Sequence, residues 1–595
     1  MRRTAFTAQK GADLQLLQRL LNKGQFQQLY QRASRVQKRC PKNAIIYGFL
    51  GAACAGLGRI GQAIKLYKRG IALDAKNSML HRDLGNLYFM MGQNSAAVLC
   101  FIAAQNEGAS DAALKFQLGR ALMGSNRLRE ALMQLGASLA AEPSNPLYAG
   151  TLAEAFEQAG LFEEAIKTYD IALKLSANNS DFQLSLARCY YNFGQPEKAL
   201  EIAQSGLEAD GTSEQFHSLK AAALGAMGEI QQANASHRDA IILGQPQGNH
   251  FYNFTLRHDM RTEPEIAGRM QEMLKHPQSQ REAKYLHFAM AKLCEDNADF
   301  DQAYLHLCKG NALQKKYLGY DVEREIALFK KFQTEFSAAR FNTQAMETQR
   351  PTQGPRPIFI VGMPRSGTTL VEAILGRHPD VTPCGETSAM LQSVVTCLPS
   401  QSVPNTEQAS RLHQDYLQRL PLFAASTAFV TDKMPTNFRL IGHILTAIPN
   451  ARIVHLQREP QAVCWSNFRT LFSSKGNGFS YDVRDLMTYF DAYQRLMEYW
   501  KTRFPSRIHN LDYERLVSAP EVEIRALLEH IGLPWHSACL SPEKGGHAIV
   551  TASQAQVRRK IYQGSSKAWM KYQSQAGEWL SKLTPAENAP EVISS

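Results

Sequence analysis

One stretch of the chain, PIFIVGMPRSGTTLVEAIL, has the composition of a phosphate-binding unit. Residues 358–361 form a short apolar run, which predicts a buried strand. A tight turn bounded by Gly362 and Gly367 follows, and residues 368–375 have helical spacing. In such an arrangement the loop amides and the helix N-terminus point at one anion. The stretch therefore predicts a cradle for a phosphate or a chemically similar group.

The type of cradle follows from the residues inside the turn. Gly362 and Gly367 have the spacing of the nucleotide-binding P-loop, but Thr368 stands where that motif has lysine. Without that lysine nothing reaches a γ-phosphate, which argues against ordinary ATP or GTP hydrolysis. The positive charge lies inside the turn instead, at Arg365. A glycine turn without a ligand is the alternative interpretation.

The sequence VGMPRSGTTL resembles the 5′-phosphosulfate-binding loop of sulfotransferases that use 3′-phosphoadenylyl sulfate, and it is most similar to the tyrosylprotein branch. The resemblance implies that the 5′-phosphosulfate of this donor lies on Arg365, Ser366, Gly367, Thr368 and Thr369. In that family the 3′-phosphate is bound by an arginine at a strand end and a serine eight residues later.

Arg458 and Ser466 have this spacing in ARIVHLQREPQAVCWSNF. A guanidinium can hold a phosphate through two parallel hydrogen bonds. The alternative is an arginine that solvates a strand end and a serine on a helix surface.

The same resemblance implies three catalytic residues. Glu386, in CGET, matches the base of the family's CGEET stretch, although one of the two acids is missing here. Lys433, in TDKMP, matches a lysine that neutralises charge at the leaving oxygen, although Met434 stands where the family has aspartate. Ser553 matches a serine that stabilises the transition state. An exposed loop carboxylate and a surface lysine are the alternatives for the first two.

Two further donor contacts are implied near the C-terminus. Tyr513, in NLDYERLV, occupies a position that often lies near the nucleotide. Lys567 lies in a basic segment that closes over the donor, where Arg558, Arg559 and Lys560 are equally open as phosphate contacts. A basic, solvated helix is the alternative for that segment. Because a sulfuryl group carries less charge than a phosphoryl group, the transfer requires positioning and electrostatic stabilisation but no metal ion. The sequence contains no compact cluster of metal ligands either.

The first half of the chain repeats with a period of 34 residues. Glycine or asparagine recurs at the turn between two helical stretches, at Gly58, Gly92, Asn126, Gly160, Gly194 and Gly228. Small residues at fixed offsets from these turns allow neighbouring helices to approach closely. The pattern resembles the tetratricopeptide repeat, which implies a superhelix that binds a peptide or a protein partner. A purely structural arm is the alternative. Ala291, Ala298, Ala303 and Gly310 repeat the offsets and predict one more helical pair.

The composition of the chain argues against two classes of function, nucleic-acid binding and membrane spanning. The chain has 595 residues, a formal net charge of +12 and ten scattered cysteines. The sequence has no long Lys/Arg run and no alternation of basic and aromatic residues, the patterns typical of nucleic-acid-binding proteins. It also has no apolar stretch long enough to span a membrane. Unpaired thiols in a reducing compartment and the lack of an apolar signal-peptide core predict a cytoplasmic protein.

We therefore predict an all-α tetratricopeptide superhelix followed by a P-loop-like α/β sulfotransferase domain with a parallel sheet. The expected divisions are a repeat array at 1–248, a helical bridge at 249–350, the sulfotransferase domain at 351–575 and a flexible tail at 576–595. The expected activity is in-line transfer of a sulfonate from 3′-phosphoadenylyl sulfate to a hydroxyl of a peptide, a protein (tyrosine among the candidates) or a carbohydrate. A non-catalytic nucleotide-binding scaffold and a P-loop kinase or NTPase are the alternatives.

Overall fold

The computed structural model describes residues 2–176, 179–244, 247–277, 279–338, 354–420, 427–472, 475–544 and 564–583. The chain separates into two compact units, Met1–Leu186 and Ala187–Ser595, and each is described by itself. The finer division into four segments stays a prediction.

The first unit is built from consecutive α-helices that pack against their neighbours along the chain. Their bounds are α1 (Arg2–Asn22), α2 (Phe26–Arg39), α3 (Ala44–Gly56), α4 (Ile60–Leu73), α5 (Ser78–Met90), α6 (Asn94–Asn106), α7 (Ala112–Gly124), α8 (Leu128–Ala141), α9 (Pro146–Gln158) and α10 (Phe162–Leu175). These helical pairs confirm the predicted repeats.

The turn within each helical pair contains a residue with left-handed backbone geometry. The φ angle is 74° at Gly58, 72° at Gly92 and 55° at Asn126. Glycine adopts this geometry without steric cost, and asparagine is the side chain that tolerates it best. The 34-residue spacing of glycine and asparagine therefore reflects a backbone requirement of the turn.

Caps at the start of alternate helices follow the same period. The side chains of Asn43, Asn77, Asp111 and Asn145 each accept a hydrogen bond from a backbone N–H in the first turn of the following helix. Such a cap satisfies a donor that has no partner inside the helix. The sequence thus specifies both where a pair begins and where it turns.

Small residues bring the two helices of a pair into close contact. A Cβ atom on Gly85 would lie 2.7 Å from the ring of Phe101, and one on Gly119 would lie 2.6 Å from the side chain of Leu135. Both Phe101 and Leu135 are fully buried. Because real Cβ contacts are longer, only glycine fits at these crossings without displacement of the partner.

The second unit begins with further helices. They are α11 (Ser180–Asn192, which contains the division between the units), α12 (Pro196–Ala209), α13 (Glu214–Met227), α14 (Ile230–Ile242), α15 (Gly248–Thr255), α16 (Pro264–Lys275), α17 (Gln280–Asp296), α18 (Phe300–Leu318) and α19 (Val322–Ala338). Helices α17 and α18 form the additional pair expected from the sequence, and Ala298 between them has a φ angle of 58°.

A five-stranded parallel sheet follows, with the strand order β2-β3-β1-β4-β5. The strands are β1 (Arg356–Gly362), β2 (Val381–Pro383), β3 (Phe429–Asp432), β4 (Arg452–Gln457) and β5 (Ile508–Asp512). The chain leaves β1 toward one edge of the sheet and later returns to the other side of β1. Open α/β sheets bind their ligands at the carboxyl ends of strands beside such a reversal.

Helices cover both faces of the sheet. They are α20 (Thr368–Leu375), α21 (Ala389–Cys397), α22 (Thr406–Arg419), α23 (Ile441–Ala447), α24 (Pro460–Phe468), α25 (Val483–Arg503), α26 (Tyr513–Ser518), α27 (Pro520–Ile531) and α28 (Gln573–Leu580). Short 3-10 helices lie at Met260–Thr262, Pro435–Leu440, Lys475–Tyr481, Ser537–Leu540, Pro542–Lys544 and Ser565–Tyr572.

Alternate residues of β1 enter two different hydrophobic cores. Ile358 and Ile360 pack with α20 and α27, whereas Phe359 and Val361 belong to a larger core on the opposite face. A parallel sheet buried on both faces needs such an almost continuous apolar strand. The predicted fold class, helical repeats followed by an α/β domain with a parallel sheet, is therefore confirmed. Within the described ranges, no helix combines the length and apolar character needed to cross a bilayer.

Candidate active site

The loop between β1 and α20 is held in place by neighbouring elements. Gly367 has a φ angle of 107°, and a Cβ atom there would lie 2.6 Å from the ring of Tyr513. The amide Nδ2 of Asn467, in α24, donates to the carbonyl oxygen of Pro364 at 2.7 Å. Arg365 has a left-handed backbone, with φ of 68°, which is uncommon for a residue with a Cβ atom. Such strained positions often lie at functional sites.

Ser366 supplies a test of whether this loop suits an anion. The residue is 1% exposed, yet its Oγ has no hydrogen-bond partner among the described residues. Thr368 and Thr369, at the start of α20, are also buried. A buried hydroxyl without a partner costs free energy, and an anion at the helix N-terminus would satisfy it. The loop therefore fits a phosphosulfate.

Arg365 and Arg458 lie beside each other although they are far apart in the sequence. Nη1 of Arg458 donates to the carbonyl oxygen of Arg365 at 2.9 Å. Nε of Arg365 in turn donates to Oγ of Ser466 at 3.3 Å. The structure thus brings together the three residues that were predicted to bind the two ends of the donor, with Ser466 bonded to Arg365.

Tyr513 forms one wall of this region. Its side chain is buried, and the guanidinium carbon of Arg458 lies 4.7 Å from the centre of its ring. Cation–π contact of this kind stabilises the guanidinium without occupying its donors. The ring also lies against Gly367, so Tyr513 contacts both predicted anion sites.

The segment after residue 563 adds a contact that sequence reasoning missed. Nε of Arg458 donates to Oγ of Ser566 at 3.3 Å, and that hydroxyl donates to Oε1 of Glu514 at 2.7 Å. Lys567, the predicted donor contact, is exposed. Burial raises the pKa of Glu459 and Glu514 raises it further, against the charges of Arg458 and Lys567. In the sequence, the only indication of this role was that Ser566 directly precedes the predicted donor contact Lys567.

Glu386 and Lys433 form an ion pair at the carboxyl ends of β2 and β3. Nζ of Lys433 donates to Oε1 of Glu386 at 2.7 Å. The backbone N–H of Lys433 also donates to the carbonyl oxygen of Gly385 at 3.1 Å, which connects the two strand ends. The arrangement places a carboxylate that can accept a proton beside a cation that can stabilise developing negative charge.

Two buried carboxylates beside this pair were not predicted. Oε1 of Glu372, in α20, accepts hydrogen bonds from Gly385 N at 2.9 Å and from Thr431 Oγ1 at 2.7 Å. Burial raises the pKa of Glu372, and the charge of Lys433 opposes that rise. The only sequence signal was a single charge in the apolar run TTLVEAIL, one turn after Thr368.

Asp432, the last residue of β3, is the second of these carboxylates. Its oxygens accept hydrogen bonds from Thr387 Oγ1 and Asn437 Nδ2, each at 3.2 Å. Burial raises its pKa to about 7. Asp432 connects the Glu386 loop to the 3-10 helix after β3, which stabilises the position of both.

Ser553 lies outside the described residues, so its predicted role stays a prediction. The donor and catalytic roles of the other site residues stay predictions as well. Within the described ranges, no three His, Cys, Asp or Glu side chains lie close enough together to hold a metal ion.

Comparison with family models gives matches in both units. Residues 357–537 match the model of the sulfotransferase family. Residues 116–180 and 156–223 match two tetratricopeptide-repeat models.

Among individual proteins, an uncharacterized protein of Aquifex aeolicus is 34% identical over 305 residues, which cover 48% of this chain and 39% of that protein. The protein-tyrosine sulfotransferase of Drosophila melanogaster is 25% identical over 201 residues, or 31% of this chain and 40% of that protein. The chain therefore spans about two fifths of the length of these curated relatives. The solved structure of YrrB, a TPR protein with an unusual peptide-binding site, has 17% identity and a TM-score of 0.29 over 31% of this chain and 95% of that one.

Proposed function

Because residues 357–537 form a sulfotransferase-family domain and tetratricopeptide repeats precede it, we propose that this chain is a sulfotransferase. It transfers a sulfonate from 3′-phosphoadenylyl sulfate to a hydroxyl acceptor. The observation that carries the proposal is the position of the Glu386–Lys433 pair, at strand ends beside the strand that carries the Arg365 loop. Protein tyrosine is the first acceptor to test, because the Drosophila relative is a protein-tyrosine sulfotransferase.

The donor is proposed to bind through two anion sites. The 5′-phosphosulfate lies on the amides and side chains of residues 365–369, where the buried hydroxyl of Ser366 gains a partner. The 3′-phosphate lies on Arg458, with Ser466 and Lys567 nearby and Tyr513 beneath the guanidinium. Two separated anion sites would favour a donor with phosphates at both ends over ATP.

The reaction is proposed as one in-line displacement. A bond forms between the acceptor oxygen and sulfur, while the bond between sulfur and the 5′-phosphate oxygen breaks. Glu386 accepts the acceptor's proton, and the freed phosphate oxygen takes up the negative charge beside Lys433. Ser553 is proposed to stabilise the transition state. The sulfuryl group carries modest charge, so the protein's cations suffice and the step is proposed to need no metal ion.

The repeats are proposed to recruit a protein or peptide, which is the usual use of such arrays. We place the protein in the cytoplasm. All ten cysteines lie within the described residues and none forms a disulfide bond there, which suits a reducing compartment.

The direct test supplies donor labelled with radioactive sulfur and a panel of tyrosine peptides, phenols and carbohydrates. We expect label to be transferred to at least one hydroxyl class by the wild type. The variant compared with the wild type is Lys433→Met, which removes the ammonium at the leaving oxygen and should reduce the rate of sulfonate transfer by about a hundredfold. Transfer that is equally fast in this variant would contradict the proposed chemistry.

A further inference from the structure

Glu372 is a buried carboxylate that the proposed reaction does not use. It lies in α20, one helical turn after Thr368, and its side chain is 8% exposed. The remainder of that helix face is apolar and packs under the sheet. A carboxylate in such a position costs free energy unless its partners compensate, so its contacts indicate why it is there.

The contacts of Glu372 reach three parts of the site. Oε1 accepts from the backbone N–H of Gly385, in the loop that carries Glu386, and from the hydroxyl of Thr431, at the end of β3. Oε2 lies 4.0 Å from Nζ of Lys433. The helix that begins at the phosphate loop therefore fixes both the loop of the proposed base and the side chain of the proposed cation.

Lys433 lies between two carboxylates that differ in exposure. Its own side chain is 0% exposed, that of Glu386 is 44% exposed and that of Glu372 is 8% exposed. During the proposed reaction Glu386 accepts a proton and loses its charge. In the same step the leaving phosphate oxygen gains negative charge beside the ammonium, which must stay correctly placed while its partner changes. Glu372 takes no part in the proposed proton transfer, so its contact with Lys433 can hold the ammonium through the step.

We propose that Glu372 is a positioning residue, which holds the Lys433 ammonium toward the leaving oxygen while Glu386 acts as the base. This inference rests on the proposed function. It accounts for the two hydrogen bonds to Oε1, because they leave Oε2 oriented toward Lys433.

Charged and titratable groups reach this region from each packed element. Three carboxylates lie beside Lys433: Glu372 belongs to α20, Glu386 to the loop after β2 and Asp432 to β3. The thiol of Cys384 lies nearby, and its pKa is raised by burial and by the charges of Asp432 and Glu372. With Glu372 neutral, the ammonium loses one of the two carboxylates with which it pairs.

The test measures the affinity for 3′,5′-adenosine bisphosphate, whose 5′-phosphate carries the leaving oxygen, so that no acceptor is needed. Calorimetry at one fixed pH compares wild type, Glu372→Gln, Lys433→Met and the double variant. The glutamine carbonyl oxygen can still accept from Gly385 and Thr431, while the charged oxygen that faces Lys433 is lost. We expect Glu372→Gln to bind the bisphosphate about tenfold more weakly than the wild type. In the Lys433→Met background, the Glu372→Gln change should not alter the affinity, because the ammonium that it positions is then absent.

A matched control is Glu325→Gln, which removes another carboxylate of the same unit from its ion pair with Arg439 and should leave the binding curve unchanged. If Glu372→Gln does not fold, Thr431→Val removes one hydrogen bond that orients the carboxylate and should also lower the affinity. An equal effect of the change in the wild-type and Lys433→Met backgrounds would overturn the inference alone. A wild type that does not bind the bisphosphate would overturn the proposed function, and the inference with it.

Discussion

Lys433 is wholly buried whereas the side chain of Glu386 is 44% exposed, although their charged atoms are only 2.7 Å apart. The exposed carboxylate can meet an acceptor that arrives from solvent. The buried ammonium is shielded from water, so its charge acts strongly on a group bound beside it. This difference in exposure is what a base and a leaving-group cation require.

Glu386→Gln tests the proposed base. Glutamine keeps the size of the side chain but cannot accept the acceptor's proton, so kcat for sulfonate transfer should fall by roughly a hundredfold to ten-thousandfold. Affinity for 3′,5′-adenosine bisphosphate should change much less than kcat, because in the proposed site Glu386 reaches the nucleotide only through Lys433. Unchanged kcat, measured with any acceptor found for the wild type, would remove Glu386 from the mechanism.

Asp432 predicts a pH dependence of stability. Burial raises the pKa of its carboxyl group in the folded protein to about 7, well above its value in an unfolded chain. The stability that the protonated form contributes is present below about pH 4 and is lost as the pH rises through about 7. Asp432→Asn removes this dependence, because its amide group cannot ionise.

Urea denaturation measures this effect. The free energy of unfolding of the wild type should fall relative to Asp432→Asn by about 2 kcal/mol or more between about pH 5 and about pH 8. Parallel curves for the two proteins would show that Asp432 titrates at its ordinary value.

The sequence predicted the residues of the site that stand in a recognisable local pattern, and it missed those that depend on tertiary contact. Arg365 and Arg458 were identified from the resemblance of their motifs to the sulfotransferase pattern. Ser566 was not, because its contact with Arg458 joins segments 108 residues apart. Glu372 was missed since nothing in TTLVEAIL shows that the helix turns this side chain toward β3 rather than toward solvent.

At the scale of single elements, the close packing of the two helices of a repeat depends on glycine at the helix crossing, even where glycine lowers helix propensity. Gly85 lies in the middle of α5, where glycine disfavours a helix, but it allows the ring of Phe101 to pack against the backbone. Gly136, in α8, has open space around the position of a Cβ atom. These two helical glycines therefore provide a matched pair of sites.

Gly85→Val should destabilise the first unit by about 1 to 3 kcal/mol, because the new side chain overlaps the buried ring of Phe101. Gly136→Ala should stabilise it by about 0.5 to 1 kcal/mol through helix propensity alone. Thermal unfolding of the full chain, followed by circular dichroism, compares the two variants. Equal changes in both would contradict the packing account.

The elements were largely predictable where one local rule governs them. The left-handed turn at Asn126 and the helix from Thr368 to Leu375 follow from turn chemistry and apolar spacing. The order of the strands was not predictable, because it depends on which apolar faces meet between segments far apart in the chain. Strand β1 is also longer than the predicted 358–361, since Pro357 and Gly362 extend the parallel pairing.

On the scale of the whole second unit, helices that precede the sulfotransferase-family region share its hydrophobic core. Phe332 and Phe336 of α19 are fully buried, and the ring of Phe336 meets those of His443 and Trp500 in edge-to-face contact. Helix α19 therefore contributes to the stability of the sheet and its covering helices.

Phe336→Ala should lower the free energy of unfolding by about 3 to 5 kcal/mol, because it leaves a cavity between α19, α23 and α25. Leu305→Ala, at an exposed position of α18, is the control and should change it by less than about 0.5 kcal/mol. Chemical denaturation of the two variants measures both effects. A small loss for Phe336→Ala would mean that α19 is dispensable to this core.

The two proposed anion sites should select a nucleotide with a 3′-phosphate. Calorimetry should compare 3′,5′-adenosine bisphosphate with ATP plus magnesium, on wild type, Arg458→Ala and the exposed-site control Arg484→Ala. We expect the bisphosphate to bind at about micromolar affinity or tighter, and ATP to bind poorly. Arg458→Ala should lose about 2 kcal/mol or more of binding free energy, whereas Arg484→Ala should lose none. Tight binding of ATP without preference for the bisphosphate would contradict the sulfotransferase account and favour a kinase or NTPase.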